Sequence, residues 1–330
     1  MRILLTALVL LALAHPAVAQ AARKPPPAKA GRQKIEYGTS YYVLNVPAGY
    51  RPAQKYGVIF MFHGSGGRPE NYENHYAAAK NKGYLLCLPA STDPQGYSEE
   101  DMKQIVEIAR EVLATYSIDP DRVYVSGHSA GGFVTCHLCS DHPELFTAGV
   151  PVSGCLVSEQ MARPMLKTPF YVISGGRDFN HDQCKKSVED MRKAGMEVAF
   201  DEPPDWPHIP PAEAWQRGFE WMEKLLPPDC VALLQGSRAL VEAKQYGKAA
   251  GMLKKLAGAK SAYAKSRGEL VAKLIEDAAD RELEAAKAAG DAKKAADLLK
   301  KAKAAFAGSG AAARIEAALE EFTKAAEGKE

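Results

Sequence analysis

Three residues far apart in this sequence are suited to act together chemically: Ser129, Asp178 and His208. Ser129 stands in Gly127-His128-Ser129-Ala130-Gly131, entered by a β-rich run and left by an apolar helical pattern. A serine becomes a nucleophile when a base takes its proton and fixed N–H donors receive the oxyanion that follows. A sharp strand-to-helix turn exposes the hydroxyl, and glycines flank it because side chains there would clash. The helix N-terminus behind the turn favours developing negative charge. This spacing points to acyl transfer through serine.

The remaining parts can be sought at strand ends. The apolar run 57–62 ends in His63-Gly64-Ser65-Gly66-Gly67, a turn able to aim a backbone N–H at the oxyanion. Ser65 is assigned that donor, with Gly64 ranked second, and Ala130 N–H is the other donor. The run 169–174 leads into Gly175-Gly176-Arg177-Asp178. An Asp just past a strand's carboxyl end can orient an imidazole. Asp182 and Asp201 are its rivals, whereas Asp119 and Asp121 read as turn residues. His208 lies in a proline-rich loop, after Asp205-Trp206-Pro207, and is assigned the general base. Its competitor is His181, too close along the loop to face both Asp178 and Ser129. His181 is therefore placed in the substrate pocket with Phe179, Tyr97 and Trp206, and Tyr72 is a further aromatic candidate. His63 reads as structural, and His128 must point away from the nucleophile.

These residues need a scaffold. Strands are expected at 39–46, 57–63, 84–89, 123–127, 149–153, 169–174 and 197–201. A helix is expected over 99–116, where Met102, Ile105, Val106, Ala109, Val112 and Leu113 keep helical spacing behind a Ser98 cap. Strands alternating with helices predict an α/β fold, a mostly parallel sheet flanked by helices, over residues 35–228. Residues 229–330 hold 30 alanines and no proline, so an additional all-α region is expected there. KAAGMLKK at 248–255 recurs as KAADLLKK at 294–301, suggesting a repeated helical hairpin and a surface for a protein or polymer partner.

At the other end, Arg2, an apolar run over 3–14 and Ala17-Val18-Ala19 form a signal peptide over 1–19. His15-Pro16 interrupts the run before the ~20 apolar residues that a span needs. The expectation is a secreted or periplasmic protein, without stable membrane insertion after cleavage. Residues 20–34 read as a basic, Pro-rich linker.

Composition narrows the classes. The 330 residues are 46% hydrophobic and 25% charged with a net charge of +2, an ordinary globular balance. Residues 35–228 carry 17 basic and 25 acidic side chains, which disfavours a nucleic-acid partner, since phosphates need a basic footprint. Six cysteines are too few for a disulfide scaffold. Cys136-His137-Leu138-Cys139 has no second ligand pair at zinc spacing, so no metal is expected. The cysteines read as buried thiols, with a Cys155–Cys184 bridge left open.

The order Ser129, Asp178, His208 is that of α/β-hydrolases. Together with His63-Gly64-Ser65-Gly66, the stretch from Ile118 through Ser129 to Gly132, Asp141-His142-Pro143-Glu144-Leu145-Phe146, Gly175–Asp178 and Trp206-Pro207-His208, it resembles the feruloyl esterase and polyhydroxybutyrate-depolymerase-like branch of that superfamily, over about residues 37–226. The resemblance implies hydrolysis of small-molecule or polymeric carboxylic esters through a serine acyl-enzyme, without metal or cofactor. One departure is the short segment 155–168, which leaves no room for a large lid. Two rivals stand beside this expectation: a prolyl-oligopeptidase-like peptidase with the same residue order, and a non-catalytic binding protein using the helical tail.

Overall fold

Period-two burial builds the centre of the molecule. Along Tyr56–Phe62, the side chains of Val58, Phe60 and Phe62 enter one core while Ile59 and Met61 enter the other, as alternation across a pleated strand requires. A strand buried on both faces belongs inside a sheet covered by helices on each side.

The computed structural model describes residues 27–328. The signal-peptide expectation and the first part of the expected linker lie outside them. Eight strands form one sheet: β1 (Gly31–Tyr37), β2 (Ser40–Val46), β3 (Tyr56–Phe62), β4 (Tyr84–Pro89), β5 (Ile118–His128), β6 (Ala148–Val152), β7 (Phe170–Ile173) and β8 (Val198–Asp201). Their order is β1-β2-β4-β3-β5-β6-β7-β8. β1 and β2 pair antiparallel, as do β2 and β4, and every other neighbour is parallel. The short helices α1 (Pro69–Tyr72) and α2 (Ala77–Lys80) follow β3, α3 (Glu99–Thr115) follows β4, and α4 (Ala130–Asp141) follows β5. Then come α5 (Glu159–Ala162), α6 (His181–Ala194) and α7 (Glu213–Leu225). Helices α3, α4 and α6 bury Ile105, Val134, Leu138 and Val188 against one face of the sheet. On the other face α7 contributes Trp215, Phe219 and Met222. At the start of α3 the expected Ser98 cap forms: its hydroxyl accepts from Asp101 N–H at 3.1 Å, and Asp101 Oδ2 accepts from Ser98 N–H at 2.9 Å.

Residues 31–34, expected as linker, are instead part of β1, in register with β2 through Ile35 opposite Tyr42. This is an edge strand whose charged side chains face solvent, so it lacks the apolar signal of an inner strand. The 123–127 strand also begins earlier than expected, at Ile118.

Five helices close the chain: α8 (Pro228–Glu242), α9 (Tyr246–Leu256), α10 (Ala262–Lys287), α11 (Ala292–Phe306) and α12 (Ala312–Glu327). The recurring octapeptides fall on α9 and α11, each the short partner of a longer preceding helix. The first half of this region shares the sheet's core through Leu234, Leu256, Tyr263 and Val271. A second core around Ile275, Leu299, Phe306 and Ile315 is its own.

Asp119 and Asp121 do more than turn the chain. Asp121 has no exposed side-chain surface and receives Arg238 at 2.7 Å and Arg267 at 2.6 Å. Its carbonyl accepts from the Tyr263 hydroxyl at 2.7 Å, and Asp119 Oδ2 accepts from Gln235 at 2.8 Å. A buried carboxylate held by two guanidinium groups is costly to break from one side, since the cations stay behind unpaired. Asp121→Asn is therefore expected to lower the unfolding free energy in urea by about 3–5 kcal/mol. A change below about 1 kcal/mol would show that these pairs behave like exposed ion pairs.

Candidate active site

β5 ends at His128 and α4 begins at Ala130, leaving Ser129 as the whole connection. Its backbone takes φ 53° and ψ −113°, a region that non-glycine residues avoid. Three hydrogen bonds hold it there. Ser129 N–H donates to Val152 O at 2.8 Å, and Ser129 O accepts from Gly132 at 2.9 Å and Phe133 at 3.2 Å. The glycine after the turn is obligatory, because a Cβ on Gly131 would stand 2.4 Å from the Phe62 carbonyl oxygen.

Ser129 Oγ lies 3.0 Å from His208 Nε2, and His208 Nδ1 lies 2.7 Å from Asp178 Oδ1. Asp178 is buried, and its carboxylate is fully engaged. Oδ1 also accepts from Asn180 N–H at 2.9 Å, and Oδ2 accepts from the Ser174 hydroxyl at 2.9 Å. The carboxylate thus fixes the proton on Nδ1 and leaves Nε2 as the acceptor facing the serine. The His208 loop reaches this position by pressing against the Asp178 loop. Arg177 N–H donates to Trp206 O at 3.1 Å, and a Cβ on Gly175 would lie 2.1 Å from that same oxygen. The Gly175-Gly176 pair therefore provides close backbone approach.

The donor side is equally specific. Among the amides from His63 to Gly67, four are engaged. His63 N–H donates to the Tyr97 hydroxyl and Gly64 N–H to the Tyr72 hydroxyl, both at 3.1 Å. Gly66 and Gly67 donate to the carbonyls of Pro94 and Gly64 at 2.8 and 2.9 Å. Among the described residues, Ser65 N–H alone in this run has no partner. The loop lies beside the serine: a Cβ on Gly64 would be 3.4 Å from Ser129 Cβ. Ala130 N–H belongs to the first turn of α4, where no intrahelical acceptor exists. Ser65 N–H and Ala130 N–H, the two amides assigned from the sequence, are thus both without a backbone acceptor among the described residues.

The aromatic assignments separate. Phe179 stacks on the His208 ring at 3.9 Å and is 79% exposed. Tyr97 lines a 550 Å³ cavity with Ala130 and Phe133 while its hydroxyl holds His63 N–H. Trp206 packs against the core on the α7 side, its ring 4.9 Å from the Arg217 guanidinium. His181 turns to Ser174 O at 3.3 Å and Glu202 at 3.6 Å, stacking near Phe200, so it faces neither Asp178 nor Ser129. Tyr72 serves the loop rather than a pocket. Ser174 and Asn180, which hold Asp178, went unassigned: a Ser at a strand end and an Asn two residues past an Asp are common turn residues.

All six cysteines are free and buried, including Cys155 and Cys184. Burial pushes the Cys184 thiol up to about 12. Cys136 and Cys139 point into the core while His137 is exposed, so the three do not converge on one ion.

A model of the prolyl oligopeptidase family matches residues 95–170, which include Ser129 but neither Asp178 nor His208. A solved thermostable esterase superposes with a TM-score of 0.50 at 21% identity, covering 58% of this chain and 62% of its own. The chain has the α/β-hydrolase fold. Feruloyl esterase B of Talaromyces funiculosus is 30% identical over 133 residues, 34% of this chain and 38% of that protein. Poly(3-hydroxyalkanoate) depolymerase C of Paucimonas lemoignei is 42% identical over 53 residues, 16% of this chain and 12% of that protein. The chain thus spans well under half the length of these relatives. They are members of the branch that its motifs resemble.

In this fold the elbow glycine gives a direct test. Gly131→Ala is expected to lower stability by about 1–3 kcal/mol through overpacking against the Phe62 carbonyl, read as a drop in the thermal midpoint. An unchanged midpoint would mean that the turn relaxes freely.

Proposed function

We propose that the protein is a secreted or periplasmic serine carboxylic ester hydrolase. The observation that carries this reading is the continuous chain from Asp178 through His208 to Ser129, with unpartnered amides at Ser65 and Ala130 beside the hydroxyl. His208 Nε2 takes the Ser129 proton as Oγ attacks the ester carbonyl. The carbonyl oxygen becomes an oxyanion held by the two N–H groups, each contributing about 3 kcal/mol where such donors have been removed from other enzymes. The imidazolium, steadied by Asp178, gives its proton to the departing alcohol. A water then repeats the sequence on the acyl-enzyme, with His208 again as base. No step needs a metal or cofactor.

Substrate access is open. Phe179 and Ile209, flanking His208, are 79% and 75% exposed, and 155–168 contributes only the one-turn helix α5 and a short turn. Such a mouth suits a bulky or polymeric ester as readily as a small one. Its exposed apolar pair, and relatives named for feruloyl esters and polyhydroxyalkanoates, support an apolar acyl group or polyester chain. The helical region 229–330 is proposed to add a partner surface without entering the chemistry.

A second reading, a peptidase, rests on the prolyl oligopeptidase family match. Hydrolysis of p-nitrophenyl acetate, butyrate, octanoate and methyl ferulate, beside peptide p-nitroanilides, separates the two. Esters are expected to turn over, and Ser129→Ala to lower kcat at least ~10⁴-fold with an unchanged thermal midpoint. Turnover confined to anilides would move the assignment to a peptidase. No turnover of either by the folded protein would leave a binding role.

A further inference from the structure

The residue before the nucleophile carries an imidazole that the proposed reaction does not use. His128 is 7% exposed, and both ring nitrogens are engaged. Nε2 lies 2.8 Å from the backbone carbonyl of His208, and Nδ1 lies 3.0 Å from the Tyr72 hydroxyl. A carbonyl only accepts, so Nε2 carries the proton and the neutral ring offers its Nδ1 lone pair to the Tyr72 O–H. Tyr72 oxygen in turn accepts Gly64 N–H at 3.1 Å. Every donor and acceptor in this chain has one consistent role: Gly64 N–H to Tyr72, Tyr72 O–H to His128 Nδ1, His128 Nε2–H to His208 O.

The ends of the chain are the two loops that the reaction depends on. Gly64 precedes Ser65, whose N–H is the loop's oxyanion donor, and His208 is the base. The centre of the chain stands on the residue next to Ser129. Tyr72 and His128 together thus join the 63–67 loop to the 203–210 loop.

We propose that His128, with Tyr72, is a positioning relay that sets the oxyanion loop and the general-base loop in register with the nucleophile. Because the ring is built on the elbow, both loops are placed relative to Ser129 rather than relative to each other. A shift in either is resisted by a hydrogen bond of defined direction. Burial lowers the basicity of His128, which favours the neutral ring that the relay requires. The groups facing it are Tyr72, His75, His208 and Asp178. This inference rests on the proposed serine chemistry.

The test compares His128→Leu, His128→Gln, Tyr72→Phe and the His128→Leu/Tyr72→Phe double variant. Leu removes both hydrogen bonds, whereas Gln can donate to the carbonyl and accept from Tyr72. His128→Leu is expected to lower kcat roughly 10- to 100-fold, the effect of a displacement near 1 Å at a reacting group, with KM little changed. His128→Gln should recover most of that loss. The double variant should be no slower than His128→Leu alone, since both break one chain. The far-downfield proton resonance of the His208 Nδ1–Asp178 bond is expected to move or disappear in His128→Leu and to return in His128→Gln.

Wild-type kcat in His128→Leu, equal losses in Leu and Gln at equal thermal midpoints, or additive losses in the double variant would each overturn the relay. If His128→Leu does not fold, Tyr72→Phe carries the test, with a kcat loss and a moved resonance expected and wild-type values for both overturning it. An inactive wild-type protein would sink the proposed function instead, and the downfield resonance would still report on the relay.

Discussion

The structure is organised around one strained peptide unit. Ser129 occupies a positive-φ conformation that its side chain disfavours, at a cost of order 1–3 kcal/mol for such residues. It persists because its N–H and C=O are both tied to neighbouring backbone and because small residues let α4 press against β3. The consequence is geometric. A hydroxyl stands at the carboxyl end of a central strand, at the start of a helix, where a loop from β3 and a loop past β8 can reach it. Those two loops carry Ser65 and His208, and Asp178 enters from the end of β7.

Each arriving group is then fixed by its own hydrogen bonds rather than by contact with the serine. Asp178 is held by Asn180 and Ser174 before it meets His208. The 63–67 loop is held by two tyrosine hydroxyls and two carbonyls, and Ser65 N–H is left over. Groups held in this way need little reorganisation when charge develops, which is where electrostatic stabilisation of an oxyanion gains most.

The reach of the sequence follows the physics of each feature. The meeting of Ser129, Asp178 and His208 is legible because such chemistry would dictate residue type and the turns dictate glycine, proline and chain order. Inner strands such as β3 and β4 are legible because burial on both faces demands the nearly continuous apolar runs seen there. The edge strand β1 is not, because Arg32, Lys34 and Glu36 break an apolar pattern that an edge does not need. The place of His181 and Trp206 in the chain suggests pocket residues. Their side chains are instead drawn to Glu202 and Arg217, partners that only tertiary packing supplies. The same holds for Asp121, whose turn-like sequence conceals two arginines arriving from more than a hundred residues away.

Those arginines also constrain what the helical region can do. Asp121 lies near the start of β5 and Ser129 follows its end, so the two lie about 25 Å apart along an extended strand. The other polar links from the helices also avoid the carboxyl ends of the strands: Gln235 to Asp119, Ser261 to the Leu225 carbonyl at the end of α7, and Glu269 to Lys167 just before β7. In open α/β sheets the chemistry gathers at the carboxyl ends. Docked at the opposite end, the helices brace the strand that leads into Ser129 and stay away from the groups around its hydroxyl. For the proposed hydrolysis this leaves the short loops around Tyr97, Phe179 and Ile209 to shape the mouth, while the helices hold the buried carboxylate of Asp121 and its cations at the far end of the sheet.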